Sequence, residues 1–141
     1  MLTRLSKLTK LLKTLTICSI AMYLLLGMTE SFALKGVSTQ SQLNQIIKTH
    51  SVVLIDFGAD WCENCTIMEG IKKDPIVIKS LQNYFQVKVD LTLNTLSKQK
   101  ICSAYGVIGL PTYIIIINGK VYDREVGAVP TSLFLNFLNR H

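Results

Sequence analysis

Apolar residues change their spacing along the chain, and the changes mark its elements. Over residues 38–50, STQSQLNQIIKTH, Leu43, Ile46 and Ile47 recur at helical spacing behind Ser and Thr cap candidates, which predicts a short amphipathic helix. Val52 to Phe57 is a nearly continuous β-branched and aromatic run, the pattern of a strand covered on both faces, with Asp56 the one exception. A helix is expected from the cysteine pair at 62 and 65 toward Lys73. Asp74-Pro75 then reads as an N-cap followed by Pro at the first helical position, opening IVIKSLQNYF. Gln86 to Leu91 alternates as a strand does. Asn94 or Thr95 can cap TLSKQKICSAY, which Gly106 would close. A helix between two such strands favours a crossover unit. Tyr113–Ile117 and Lys120–Val126 flank Asn118-Gly119, the strongest short-range hairpin signal. Pro130-Thr131-Ser132 leads into a last helix with Leu133, Phe134, Phe137 and Leu138 on its inner side. The order describes an α/β domain: a small mixed sheet with helices on both faces.

The first thirty residues follow another rule. Arg4, Lys7, Lys10 and Lys13 stand with no acid among residues 1–13, and residues 14–28, TLTICSIAMYLLLGM, form an uncharged and mostly apolar run. That is a basic n-region before an h-region shorter than the ~20 residues of a membrane span. Ser31-Phe32-Ala33 offers small residues where a signal peptidase reads, so cleavage after Ala33 is expected. Residues 1–33 are thus a signal peptide or an N-terminal membrane anchor, and residues 34–141 one domain, since no linker or repeat divides them. Ile17 stands before Cys18 where a lipoprotein signal wants a small residue, which argues against lipidation there.

Charge adds little. The formal +6 includes the n-region; from Leu34 onward 11 basic side chains face 8 acidic ones, leaving +3. The bases are scattered, with only Lys72-Lys73 adjacent, so a nucleic-acid partner has no support. Lys72-Lys73 itself reads as a solvated helix end.

Export makes thiol chemistry the default reading of cysteines. Three remain past residue 33: Cys62, Cys65 and Cys102, an odd number that closes no disulfide framework. Structural zinc wants four ligands, and the chain offers one Cys pair with His50 and His141 far from it in sequence, so no metal is expected. Covalent haem needs His where Thr66 stands. A strand ending near Phe57, a short turn, and a helix beginning near Cys62 would put that sulfur at a helix N-terminus, where backbone N–H groups and the dipole stabilise a thiolate. Cys62 is then the attacking thiol. Cys65, one turn on, can resolve the mixed disulfide, and this context favours a reactive pair over an inert staple.

Asp56-Phe57, Ala59, Trp61-Cys62-x-x-Cys65, Gly109-Leu110-Pro111-Thr112, the hairpin and Val126-Gly127-Ala128 together resemble the thioredoxin superfamily over nearly all of residues 34–141. Within it, Met68-Glu69, Asp74-Pro75-x-Val77 and Val89-Asp90-Leu91-Thr92 look most like the C-terminal periplasmic domain of the DsbD-type thiol:disulfide interchange proteins. The resemblance implies a thioredoxin fold and a protein-disulfide oxidoreductase, periplasmic or otherwise exported, whose only cofactor is its own Cys62/Cys65 dithiol. It implies a cis-proline at Pro111 that presents backbone to an extended substrate, with Leu110 beside it and Trp61 covering the site. Asp56 matches a buried acid that takes and returns the proton of Cys65. The multi-span electron-carrying domain of DsbD has no counterpart here, so the electron donor is expected to be a separate membrane protein, and protein disulfides the substrates. Membrane contact is expected only through the N-terminal segment.

Asp60, Glu63 and Asp56 would oppose a negative Cys62, and residues 51–71 contain no Lys, Arg or His. That favours a reductant or electron carrier. The alternative is a module that grips cysteine-bearing clients, in cytochrome maturation or metal delivery, with little turnover. Cys102 reads as a buried small apolar side chain.

Overall fold

The computed structural model describes residues 34–140. The elements run β1 (Lys35–Gly36), α1 (Gln40–Thr49), β2 (Val52–Gly58), α2 (Glu63–Ile71), α3 (Pro75–Leu81), β3 (Phe85–Asp90), α4 (Leu96–Ala104), β4 (Thr112–Ile117), β5 (Lys120–Val126) and α5 (Thr131–Asn139). The expected signal or anchor segment lies outside the described residues. No helix among them is long and apolar enough to cross a membrane.

The caps fall where short polar side chains meet free N–H groups. Thr39 and Gln42 form a capping box at α1, Asp74 accepts from Ile76 N–H ahead of Pro75, and Thr95, rather than Asn94, caps α4. Asn118 (φ 49°) and Gly119 (φ 79°) supply the two left-handed residues that a tight hairpin between β4 and β5 requires.

The sheet order is β1-β3-β2-β4-β5. β2 pairs in parallel with β3 and antiparallel with β4, so the parallel crossover unit is the one containing α2 and α3. The connection through α4, expected to make such a unit, instead carries the chain past β2 to an antiparallel β4. Because β2 is central, its alternate side chains feed two cores. Val53, Ile55 and Phe57 join Leu43, Ile46 and Ile101 from α1 and α4. Leu54 joins Met68, Val77, Leu81, Phe134, Phe137 and Leu138 from α2, α3 and α5.

Three further expectations need correction. Leu133 is 51% exposed, because only Phe134, Phe137 and Leu138 of α5 turn to the sheet. The helix opened by Asp74-Pro75 ends at Leu81, and Phe85, expected inside it, begins β3. Lys72 is no solvated helix end: its side chain is 11% exposed and ion-paired.

Candidate functional site

β2 delivers the chain to the C-terminal end of the central strand at Gly58, and Leu91 N–H binds the Gly58 carbonyl at 2.7 Å. Asp60 N–H donates to Thr92 Oγ1 at 2.9 Å, tying the loop before α2 to the end of β3. The loop therefore enters α2 on fixed supports. Cys62 is the N-cap of that helix, and its sulfur accepts the Cys65 N–H at 3.1 Å. The sequence reading of Cys62 at a helix N-terminus is what the structure shows, and a sulfur there sits among N–H groups suited to negative charge.

Cys62 and Cys65 are joined by a disulfide with Cα atoms 5.2 Å apart. Cys62 is 7% and Cys65 9% exposed, so the pair reaches the surface only at one edge. That edge borders a groove of about 860 Å³, lined by Trp61, Cys62, Leu91, Cys102, Ile108 and Leu110 among others. Trp61 stands 67% exposed on the rim. The Leu110–Pro111 bond is cis, as the resemblance implied. Leu110 lines the groove, whereas Pro111 itself is buried behind it, its carbonyl accepting Gly127 N–H at 2.8 Å. Thr112 Oγ1 donates to the Gly109 carbonyl at 2.7 Å and closes the turn.

Behind the pair lies Asp56, 5% exposed. A Cβ added to Gly58 would stand 3.6 Å from Cys65 Sγ and 3.8 Å from Asp56 Oδ1, so sulfur and carboxylate border one gap that glycine leaves open. Burial raises the Asp56 carboxyl above its ordinary range, against the opposing pull of Lys72. Lys72 Nζ reaches Asp56 Oδ2 at 2.5 Å and Glu69 Oε1 at 2.7 Å. Burial alone would lower the Lys72 ammonium, but Asp56 and Glu69 together raise it.

Sequence reasoning missed Lys72 because it weighed charges by window, and the ion lies one residue past residue 71. A signal was present: Cys65, Glu69 and Lys72 are spaced four and seven along one helix and so share a face. The finding also removes Asp56 from the charges opposing a Cys62 thiolate, leaving Asp60 and Glu63. Ile108, 94% exposed in the groove wall, went unremarked, and Cys102 is half-buried on that wall rather than buried.

A family profile described as Thioredoxin matches residues 35–140. Over 98 residues the chain is 35% identical to thioredoxin 1 of Synechococcus elongatus, covering 69% of this chain and 86% of that one. Over 90 residues it is 35% identical to the thiol:disulfide interchange protein DsbD of Campylobacter jejuni, covering 62% of this chain but 16% of DsbD. In structure it is similar to thioredoxin from Trypanosoma brucei brucei, with a TM-score of 0.66 at 24% identity, over 80% of this chain and 94% of that one. That last likeness concerns the fold alone.

Proposed function

The chain belongs to the thioredoxin family of thiol:disulfide oxidoreductases, and from that premise we propose that it is exported and reduces disulfides in other proteins. One observation carries the mechanism: Cys62 caps α2 with its sulfur on a backbone N–H, disulfide-linked to Cys65, at the edge of a groove walled by both apolar and polar side chains. In the reduced protein the Cys62 thiolate attacks a substrate disulfide lying across Trp61 and Leu110. The substrate S–S bond breaks, one substrate sulfur leaves as a thiol, and the other stays bonded to Cys62. Cys65 then attacks Cys62 and releases the second thiol. The substrate gains two electrons, and the Cys62–Cys65 disulfide forms.

Asp56 acts as the base for Cys65, with which it borders the gap over Gly58. Reduction of the Cys62–Cys65 disulfide falls to a separate membrane dithiol protein. The likeness to one-sixth of DsbD, itself an interchange protein, supports a carrier of this kind. Asp60 and Glu63 beside Cys62 disfavour its thiolate and favour a reducing dithiol.

Replacing Cys65 by Ser should leave client proteins trapped on Cys62 as mixed disulfides, visible as adducts on non-reducing gels and released by dithiothreitol. A Cys65→Ser protein that forms no adduct, while binding the same clients with both cysteines replaced, would make the chain a gripping module instead. Export is tested separately. The mature protein should begin at Leu34 by mass spectrometry; a chain still beginning at Met1 contradicts cleavage and favours an anchor.

A further inference from the structure

Asp56 is held by more than the sheet. Glu69 lies one turn and Lys72, the C-cap of α2, two turns after Cys65, so the three side chains fall along one side of the helix, where Lys72 reaches Asp56 of β2. There Asp56 stands between its cross-strand neighbours Lys88 on β3 and Tyr113 on β4. Lys72 Nζ is clasped between the two carboxylates at 2.5 and 2.7 Å and passes 5.7 Å from the centre of the Tyr113 ring. A lysine this buried is costly unless its charge is matched, and two acids match it. Lys88 stands further off, 3.8 Å from Glu69.

Beside this cluster opens a cavity of about 160 Å³, lined by Asp56, Asp60, Cys65, Glu69, Lys88 and Tyr113. It is polar and roomy enough for water. Lys72 therefore joins the acid behind Cys65 to Glu69, whose side chain is 46% exposed.

We infer that Lys72 is a positioning residue for disulfide exchange, holding the Asp56 carboxyl by its ion pair beside Cys65 so that it takes the thiol proton when the mixed disulfide resolves. The inference rests on the reading of Asp56 as that base. In the step, the Cys65 S–H proton passes to the Asp56 carboxylate and the new thiolate attacks Cys62. The bond between Cys62 and the substrate sulfur breaks, and its electron pair leaves on that sulfur, which takes a proton from water. The proton on Asp56 returns to solvent through the cavity past Glu69.

The surrounding charges pull in opposite directions. Lys72 first and Lys88 less favour the ionised Asp56, whereas burial and Glu69 oppose it. Tyr113 stays neutral, held so by burial and by the two acids. Removing Lys72 and removing Glu69 should thus have effects of opposite sign, which a purely structural role would not give.

The test is stopped-flow reaction of the reduced full-length protein with an aromatic disulfide whose released thiolate absorbs visible light. Attack by Cys62 releases the first thiolate and resolution by Cys65 the second. Lys72→Met should slow the second phase roughly tenfold at neutral pH and move its pH midpoint alkaline, the effect expected of one lost neighbouring charge. Lys72→Arg should restore the wild-type profile, and Glu69→Gln should move the midpoint acid. A Lys72→Met second phase with the wild-type midpoint, or shifts of the same sign in both variants, would overturn the inference. If Lys72→Met does not fold, Glu69→Gln decides: an unmoved or alkaline midpoint overturns it. A wild-type protein that shows a first phase and no second would instead overturn the exchange reading beneath it.

Discussion

At Asp56 the protein places a carboxyl inside a strand otherwise made of Val, Leu, Ile, Phe and a final Gly, 5% exposed and in an ion pair with Lys72. Burial favours its neutral form more than its neighbours favour the charged one, so its carboxyl is raised above the ordinary 3.8. The folded state thus holds the proton to higher pH than the unfolded chain does. Stability from this group is full below about pH 3.8 and is lost as pH rises through the raised value, at no more than about 1.4 kcal/mol per pH unit. Lys72, raised by its acids, stays charged throughout that window and contributes no slope there. In urea unfolding of the oxidised protein between pH 4 and pH 8, wild type should lose stability relative to Asp56→Asn as pH rises. Parallel curves, or a wild type that gains with pH, would contradict the assignment. At this scale the thiols, Asp56 and the cis Pro111 were legible in the sequence because each sits in a local motif. Lys72 was not, since its meaning depends on α2 lying across β2.

Among the elements, what local pattern controls was read well. The Asn118-Gly119 hairpin, the Asp74-Pro75 helix start and the Gly106 closure of α4, with φ 59°, each answer to a backbone requirement held within a few residues. What pairing controls was not. The two-residue β1 gains strand character only by lying parallel to β3, with Lys35 opposite Val87, and a pattern of two residues carries no period. The antiparallel β4 next to β2 is likewise a matter of where α4 deposits the chain. Phe85 and Leu133 show a related limit, because an apolar residue near a helix end can join the strand beyond it or face solvent without breaking the helical spacing. Arg124 on β5 adds a link that spacing cannot show: its guanidinium donates to the Tyr105 and Gly106 carbonyls and ties the end of α4, ahead of the cis-proline turn, to the far edge of the sheet.

As a whole, the molecule opposes two environments at one pair of sulfurs. In front lies an open groove with Trp61 and Ile108 exposed on walls that also carry Glu63, Asn94 and Gln99, suited to an extended segment of another protein. Behind lies a polar cluster, Asp56, Lys72, Glu69 and Lys88, that can accept and pass on a proton. Such a division suits two-electron exchange with a protein disulfide, and the proposal that this exchange runs toward reduction rests on the acids at positions 60 and 63. The most direct test is the equilibrium reduction potential of the Cys62–Cys65 couple in dithiothreitol or glutathione buffers. A single two-electron transition near or below about −230 mV is expected of a reductant; a value near about −120 mV, or no two-electron transition at all, would contradict the account.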